Sequence, residues 1–439
     1  MKILLVCDAI APLQGIASIR WTKISKYLIK NHGDEASVDV LTTKKNYDDP
    51  HSFMRLYPKD VLLERDMRYF NNYYAVPVEN RFRLSHWYKR KVIGKDRHFF
   101  TSEDAFRHDF KSKVKSHVRT LYESYYNYAI ADELWKFIRD KINAYDCVIS
   151  SYNPMWPFML CSKIASAQRG LKWIADFRDT CGRNNVDMSG YAQWHTAYAE
   201  KHSVTASAVL QVNDFLYTHT DSRVPRYTVT NGYDPEEAYP PEKPDSFNLV
   251  YTGSLFGKQQ DYRILYRALN ELIAEGKMVL EDVKVIYAGR YSEQAQAIAE
   301  QGDGLRFFVN LNEVSRQKAR ELQQKAAILI QAAFNIKDDY CAWTGKMYEY
   351  MIAGKPIVYI VNGDIPHSMP SEHMEQLGGV CYEACRHEET YGQLKSYILQ
   401  KYEEWKRSGD VTVSQDDDYI RQYSYDAIAK RVWEILRKL

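Results

Sequence analysis

The feature that most constrains this chain is a repeated alternation of short apolar runs with segments of helical periodicity. An apolar run at residues 3–6 is followed by a helical pattern at 22–30 and by a second apolar run at 38–41. Strands that are apolar on both faces and separated by helices are typical of a parallel sheet covered by helices on both sides. The pattern therefore predicts a doubly wound α/β fold. Further strands are predicted at 147–149, 173–175, 209–212, 227–229, 248–251, 283–288, 306–309, 327–331, 356–361 and 380–382.

Two interruptions of the alternation divide the 439-residue chain. The alternation is lost at about residues 50–140, and residues 235–246 are polar and rich in proline, as interdomain linkers are. Because domains usually hold roughly 100–200 residues, we expect two of them. We predict a first domain at 1–234 with an insertion near 50–140, the linker at 235–246, a second domain at 247–415 and a terminal amphipathic helix at 416–439.

Composition and charge exclude several classes of protein. The apolar fraction of 45% suits a globular protein with real cores, and a net charge of +2 argues against a chain that binds polyanions over its whole surface. No run approaches the roughly 18 apolar residues of a membrane span, and the apolar run at 3–6 is too short for an export signal. Seven thinly spread cysteines suit a reducing compartment. The sequence thus predicts a cytoplasmic protein.

Candidate functional residues of the first half lie in the turns that follow strands, where ligands of such folds bind. Gly15 follows the first strand and lets backbone N–H groups approach a phosphate or a sugar, although such turns often need a glycine anyway. Asp176, Arg178 and Asp179 close a buried strand. They either act on a substrate or form a helix cap and an internal ion pair. Gly15 and Asn231 are candidates for donor binding, although Asn231 belongs to an Asn-Gly turn, which structure alone also explains.

The first strand of the second half is followed by a loop with two glycines, two hydroxyls and a lysine at 251–258. These residue types suit a diphosphate at the head of a helix. The loop matches neither a Walker P-loop nor a dinucleotide fingerprint, which argues against an NTPase and a dinucleotide dehydrogenase. The candidates for donor binding in this half, apart from the motif below, are Thr252, Gly253, Ser254, Lys258 and Arg290.

The strongest signal lies at 344–358. Thr344 precedes Gly345, which opens a helix whose free N–H groups and dipole favour an anion. Lys346 adds a positive charge, and Glu349, one turn later, can accept hydrogen bonds from the paired hydroxyls of a ribose. An ordinary helix–glycine–strand unit does not explain why a lysine and a glutamate flank the start of this helix.

At this motif the chain resembles the GT-B glycosyltransferases, in particular the retaining glycosyltransferase family 4. The second domain of that family typically carries a glycine-led helix, a glutamate and then Ala-x-Gly-x-Pro, which correspond here to Gly345, Glu349, Ala353, Gly354 and Pro356. The resemblance also covers the first strand with its loop, 176–179, 231–234 and 251–255. It implies two Rossmann-like domains that face each other across a cleft, with the C-terminal helix packing back on the first domain.

The resemblance also implies an activity. A hexose-type sugar would move from a nucleotide-diphosphate donor to a saccharide or lipid-linked acceptor. The family implies that the donor is a UDP-sugar, that the anomeric configuration is retained and that no metal or other cofactor takes part. Glu349 would hold the ribose, Lys258 and Lys346 the diphosphate, and the acceptor would enter along the first domain. We expect a role in the synthesis of cell-surface polysaccharide or glycolipid. The catalytic candidates are Asp176, Arg178, Asp179 and Lys346.

The chain departs from the family pattern at two positions. The family often has a second glutamate eight residues before the ribose glutamate, where this chain has Cys341, so recognition of the donor sugar shifts to Asp338 or Asp339. The arginine that usually follows the glycine of the first strand is a serine here, and Lys258 or Arg290 would supply the charge instead.

Residues 81–119 form a basic segment with 12 Lys or Arg against four Asp or Glu, a net charge of +8, interleaved with aromatic residues. Such a mixture can sit on an anionic bilayer, with about 1 kcal/mol per cation, which would place the protein peripherally on the inner face of the cell membrane. It can equally be a solvated insertion that packs its aromatics on the first domain. We expect no nucleic-acid partner, because no known nucleic-acid motif is present.

Two other functions remain open from the sequence. Nucleotide-sugar 2-epimerases share the fold and would release an epimerised nucleotide sugar without an acceptor. A non-catalytic GT-B scaffold subunit would bind the donor without turnover, and Cys341 in place of the family glutamate favours that alternative.

Overall fold

A computed structural model describes most of the chain, and its contacts form two compact units. The first unit contains residues 1–231 and 425–439, and the second contains residues 232–424. For residues 110–120 and 122–123 only the helix backbone is described. The described ranges are 1–44, 59–78, 110–168, 170–178, 198–199, 202–216, 223–255, 259–337 and 339–439.

The first unit is an α/β domain around a parallel sheet. Its described strands are β1 (Lys2–Val6), β2 (Ser37–Thr43), β3 (Asn72–Val76), β4 (Cys147–Tyr152), β5 (Lys172–Phe177), β6 (Ala208–Gln211) and β7 (Arg226–Thr228). Their order in the sheet is β3-β2-β1-β4-β5-β6-β7, and every pairing is parallel. The first four described helices are α1 (Ile16–His32), α2 (Val61–Asp66), α3 (Phe110–Ile138) and α4 (Trp156–Ala167).

The second unit repeats this plan. Its described strands are β8 (Phe247–Thr252), β9 (Val283–Ala288), β10 (Phe308–Asn310), β11 (Ile328–Phe334), β12 (Ile357–Asn362) and β13 (Val380–Glu383). They form a parallel sheet in the order β10-β9-β8-β11-β12-β13. The described helices are α5 (Arg263–Ala274), α6 (Ser292–Gln301), α7 (Arg316–Gln324), α8 (Gly345–Ala353), α9 (Met369–His373), α10 (His387–Ser408) and α11 (Asp417–Arg421).

These elements confirm the predicted doubly wound architecture and explain it physically. The central strands are apolar on both faces because helices cover both sides of each sheet, and every residue of β8 is buried. Helix α5 presents Leu265, Leu269 and Leu272 to the core at helical spacing. No helix among the described residues combines the length and the apolar character needed to cross a bilayer.

Regular structure also occurs where the sequence predicted no alternation, at about residues 50–140. Helices α2 and α3 and strand β3 lie there. Strand β3 was missed because it is an edge strand of partly exposed residues, including Asn72, Tyr73 and Tyr74, and therefore lacks the apolar run of a central strand. Its partner β2 pairs with it over five residues, from Asp39 to Thr43.

The C-terminal segment packs on the first domain, as predicted, but as a shorter helix than expected. Helix α12 (Tyr425–Lys438) belongs to the first unit, and its Trp433 stacks on His32 of α1 with ring centroids 4.7 Å apart. The predicted continuous helix over 416–439 is wrong, since α11 ends at Arg421 and α12 begins at Tyr425. The chain turns there because the carbonyl of Tyr423 accepts a hydrogen bond from the backbone N–H of Tyr233, at 3.0 Å.

Candidate functional site

The loops after β8 and β9 touch through their backbones at the carboxyl edge of the second sheet. Gly253, with φ 104°, donates its N–H to the carbonyl of Ala288 at 2.7 Å. A Cβ atom placed on Gly289 would lie 2.0 Å from the carbonyl oxygen of Gly253. A Cβ atom on Gly253 would lie 2.7 Å from Cδ of Lys346. Only glycine therefore permits this close approach.

Helix α8 begins at Gly345, as the sequence predicted, and Lys346 in its first turn lies against Gly253. The carbonyl of Thr344, the residue before the helix, accepts the N–H of Met347 at 3.0 Å. The first N–H groups of a helix have no partner within it and carry a partial positive charge. Gly345 and Lys346 occupy this first turn, so the helix offers an anion both backbone donors and a lysine.

Lys346 is half-buried and rests on a tyrosine. Its Nζ lies 2.7 Å from the hydroxyl of Tyr251, 3.1 Å from the carbonyl of Ser254 and 4.2 Å from the centroid of the Tyr251 ring. Within the described ranges it forms no ion pair. Burial lowers the pKa of Lys346 to about 7, and the charge of Glu349 offsets part of that shift. The side chain is therefore poised to change its charge near neutral pH.

Glu349 is held by two residues of α7 that the sequence analysis missed. The side-chain amide of Gln323 donates to Glu349 Oε2 at 3.3 Å and to the hydroxyl of Thr252 at 2.8 Å. Arg316 Nε lies 3.7 Å from Glu349 Oε1. Arg316 and Gln323 are seven residues apart, which places them on one face of the helix. The seven-residue spacing of this arginine and this glutamine was the signal available in the sequence.

Arg316 also connects Glu349 to the predicted linker. Its Nη2 lies 3.1 Å from Glu237 Oε2, and Arg320 donates to the same oxygen. Glu237 belongs to a 3-10 turn, Pro235–Glu237, that begins the linker. The carboxylate that we expect to hold a ribose is thus joined by charged side chains to the first turn of that linker.

Cys341, which the sequence resemblance places at a family glutamate, lies in the core of the second domain. Its backbone N–H donates to Asn335 Oδ1 at 2.9 Å, and its Sγ lies 3.7 Å from the hydroxyl of Tyr359. Burial raises the pKa of the Cys341 thiol to about 12. Of the two aspartates predicted to replace that glutamate, Asp339 pairs through its backbone with Ile336, and Asp338 lies outside the described residues.

Two donor-binding candidates of the second domain remain, Arg290 and Lys258. Arg290 follows β9 and pairs with Glu313, its Nε 2.6 Å from a carboxylate oxygen. Lys258 lies outside the described residues. The fold brings together seven of the predicted donor-binding residues around the start of α8, namely Thr252, Gly253, Ser254, Thr344, Gly345, Lys346 and Glu349.

A buried aspartate organises the carboxyl edge of the first sheet. Asp176 accepts hydrogen bonds from Arg20 at 2.7 and 3.2 Å, from the indole of Trp21 at 2.7 Å and from the hydroxyl of Ser151 at 3.2 Å. Arg20 also donates to the carbonyl of Thr230 at 2.8 Å and to Asn231 Oδ1 at 3.4 Å. Asp176 thus ties α1 to the ends of β4 and β5 and to the Asn231 turn, and its direct action on a substrate stays a prediction.

The other first-domain candidates lie along the same edge. Gly15 is the residue before α1 and accepts the N–H of Ser18 at 3.0 Å. Arg178 donates to the carbonyl of Asn153, in the loop after β4. Asp179 lies outside the described residues. Asp8, which follows β1, accepts from the hydroxyl of Thr43 at 3.2 Å and from a tryptophan indole at 3.1 Å.

Comparison with known proteins shows the fold. No protein-family model matches the chain, and no curated protein sequence does. The lipopolysaccharide outer core galactosyltransferase WaaB matches with a TM-score of 0.53 and 11% identity, covering 100% of both chains. An S. aureus TarM variant solved with fondaparinux, α-GlcNAc-glycerol and UDP matches with a TM-score of 0.55 and 11% identity, covering 99% of both.

A third match is a candidate UDP-N-acetylglucosamine 2-epimerase from Listeria monocytogenes, with a TM-score of 0.50 and 10% identity, covering 99% of this chain and 95% of that one. At such identities the likeness concerns architecture alone. The chain consists of two Rossmann-like domains of the GT-B type, as the glycosyltransferase resemblance implied.

Proposed function

We propose that the chain is a glycosyltransferase that moves a hexose-type sugar from a nucleotide-diphosphate donor to a saccharide or lipid-linked acceptor. The start of α8 carries this proposal, because Gly345 and Lys346 lie against the paired loops after β8 and β9. A helix N-terminus with a lysine suits a diphosphate. Glu349, held by Gln323, suits the two hydroxyls of a ribose. A UDP-sugar is our first candidate, and the fold shared with a galactosyltransferase and with a UDP-bound protein supports it.

The proposed chemistry follows from where charge develops. As the bond between sugar and diphosphate breaks, negative charge grows on the diphosphate. The N–H groups at the start of α8 and the Lys346 ammonium stabilise that charge more in the transition state than in the ground state. We expect transfer with retention and without a metal, so that activity persists in EDTA. Arg178 and Asp179 are proposed to act on the acceptor, with Asp176 positioning the loops around them.

We further propose a place for this reaction, the synthesis of cell-surface polysaccharide or glycolipid in the cytoplasm, at the inner face of the membrane. The basic residues at 81–119 support it through their charge of +8. Residues 81–109 lie outside the described residues. Binding to vesicles with anionic lipid should weaken as salt rises, since exposed charges are screened. Vesicle binding that ignores salt would count against this electrostatic attachment.

A thermal-shift screen of UDP-, GDP-, ADP- and CMP-sugars tests the donor site. A donor at 100 times its dissociation constant should add about 2.7 kcal/mol to the free energy of unfolding. Glu349→Ala should abolish the shift, while Asp418→Ala, on a carboxylate of α11 that is 88% exposed and paired with Arg421, is the matched control. If no nucleotide sugar stabilises the wild type, the enzyme proposal fails.

Two further outcomes of donor binding separate the alternative functions. An epimerase would convert UDP-N-acetylglucosamine without any acceptor. The fold shared with the Listeria protein is the reason to test for this outcome. A scaffold subunit would bind the donor without turnover under any acceptor. Product analysis by chromatography, with and without a saccharide acceptor, distinguishes the three.

A further inference from the structure

Lys346 and Tyr251 share a small group of hydrogen bonds within the described ranges. Tyr251 is fully buried, and its ring stacks between Tyr262 and Tyr287 with centroids 5.7 and 5.6 Å away. Among the described residues, its hydroxyl has one partner, Lys346 Nζ at 2.7 Å. The second partner of Nζ is the carbonyl of Ser254 at 3.1 Å. Three groups thus share two hydrogen bonds.

The number of protons in this set depends on the charge of the lysine. An ammonium can only donate, and a carbonyl can only accept, so a charged Lys346 would donate to both partners. The O–H of Tyr251 would then find no acceptor in the part of the chain that the structure describes, and buried polar hydrogens are rarely left without one. A neutral amine resolves this, because its lone pair accepts from Tyr251 while one N–H donates to Ser254.

The surroundings of the Lys346 amine also favour its neutral form. Strand β8 presents the hydroxyl of Tyr251, with Tyr287 of β9 behind it, and the following loop presents the carbonyl of Ser254. Among the residues that the structure describes, the charge that acts on the amine is that of Glu349, one turn along α8, and it does so at a distance without an ion pair. Residues 256–258 lie outside the described residues. The resting amine therefore has neutral hydrogen-bond partners.

We propose that Lys346 rests as a neutral amine on the Tyr251 hydroxyl in the ligand-free protein and takes up one proton when a nucleotide sugar binds. This inference rests on the proposed donor site. The proton comes from solvent, since the phosphates of a nucleotide sugar are already ionised near neutral pH. The resulting ammonium then faces the diphosphate, and Tyr251 is a positioning residue that sets the pH at which the change occurs.

Calorimetry of UDP-glucose binding, in buffers of different ionisation enthalpy, measures the proton uptake directly. With a lysine pKa of about 7, we expect uptake approaching one proton at pH 8 and little uptake at pH 6. The dissociation constant should rise about tenfold for each pH unit above 7, while the complex stays protonated. Binding of UDP-glucose at pH 8 without proton uptake would overturn the inference and leave the donor site intact.

Three variants test whether Lys346 is the group that takes up the proton. Lys346→Arg keeps a permanent charge and should abolish the uptake. Tyr251→Phe removes the donor to the neutral amine, which favours the charged form and should reduce the uptake at pH 8. If the hydroxyl instead served an ammonium as acceptor, the same substitution would increase the uptake. Tyr262→Phe is the matched control, because Tyr262 stacks on Tyr251 without a hydrogen bond to Lys346.

A measurement without ligand separates this inference from the proposed function. In protein labelled with ¹³C-lysine, the Cε resonance that Lys346→Arg removes should titrate with a midpoint near 7. A midpoint near 10 would refute the neutral resting state. A midpoint near 7 in a protein that no nucleotide sugar stabilises would support the resting state and refute the proposed donor site, together with the coupling that depends on it.

Discussion

Arg20 and Asp176 form a two-point ion pair, with Nη2–Oδ1 at 2.7 Å and Nε–Oδ2 at 3.2 Å, and neither side chain is exposed to solvent. Breaking a buried pair leaves the other charge without compensation, which typically costs about 3–5 kcal/mol. We expect Asp176→Asn to lower the free energy of unfolding of the first domain by that amount, measured by urea denaturation.

Asp140→Asn is the control for this substitution, because Asp140 is 82% exposed and its pairing with Arg139 spans 3.6 Å. Its effect should stay within about 0.5 kcal/mol. Loss of transferase activity in an Asp176→Asn protein of normal stability would instead indicate that Asp176 acts directly on a substrate.

Lys346→Ala tests the electrostatic part of the proposed chemistry. The substitution removes a cation at the start of α8 and leaves the backbone donors of that helix in place. Removing one such donor lowers turnover by roughly 10²–10³-fold in well-studied enzymes, and we expect that loss in kcat with the donor identified by thermal shift. Turnover close to that of the wild type would refute the role of Lys346.

The pKa of Lys346 also predicts how stability depends on pH. Its value is about 7 in the folded protein against an ordinary 10.5. Between these values the unfolded chain binds more protons than the folded one, so the free energy of unfolding rises with pH. Below pH 7 both states hold a charged lysine, and this contribution is constant.

Lys346→Met lacks this dependence while keeping a similar length of side chain. The difference in the free energy of unfolding, wild type minus variant, should therefore be flat below pH 7 and increase between pH 7 and 10. Urea denaturation of the ligand-free proteins across this range measures it. A difference that does not change with pH would show that Lys346 remains charged.

Gly289→Ala tests the contact between the loops after β8 and β9. An added Cβ would lie 2.0 Å from the Gly253 carbonyl oxygen, so one loop must move. Such overpacking typically costs about 1–3 kcal/mol, and the displaced loop should also weaken donor binding. Gly392→Ala is the matched control, because Gly392 lies in α10 with open space around it, and alanine there should stabilise by about 0.5–1 kcal/mol.

The architecture was predictable because the signals that specify it are local. Central strands of a covered parallel sheet are apolar on both faces, so β1, β8 and β12 stand out in the sequence. The start of α8 was equally visible, since Gly345, Lys346 and Glu349 lie within five residues. What the sequence predicted best was therefore encoded by near neighbours.

The unpredicted features depend on residues that are far apart in the chain. Lys346 and Tyr251 are 95 residues apart, and no local pattern indicates that a hydroxyl will face the amine. Gln323 reaches Glu349 across 26 residues, between two helices. The terminal helix was predicted too long for the same reason, because Tyr423 turns the chain through a bond to Tyr233.

Helix α12 supplies Tyr425, Ile428, Val432 and Trp433 to the same hydrophobic cluster as β1 and α1. Its residues follow the whole second domain in the chain. During synthesis the first domain therefore leaves the ribosome before α12 can cover its part of the core. That apolar surface stays exposed until nearly two hundred further residues have been made. The second domain, which is continuous in sequence, can fold first, so the usual order of folding from the N-terminus should be reversed here.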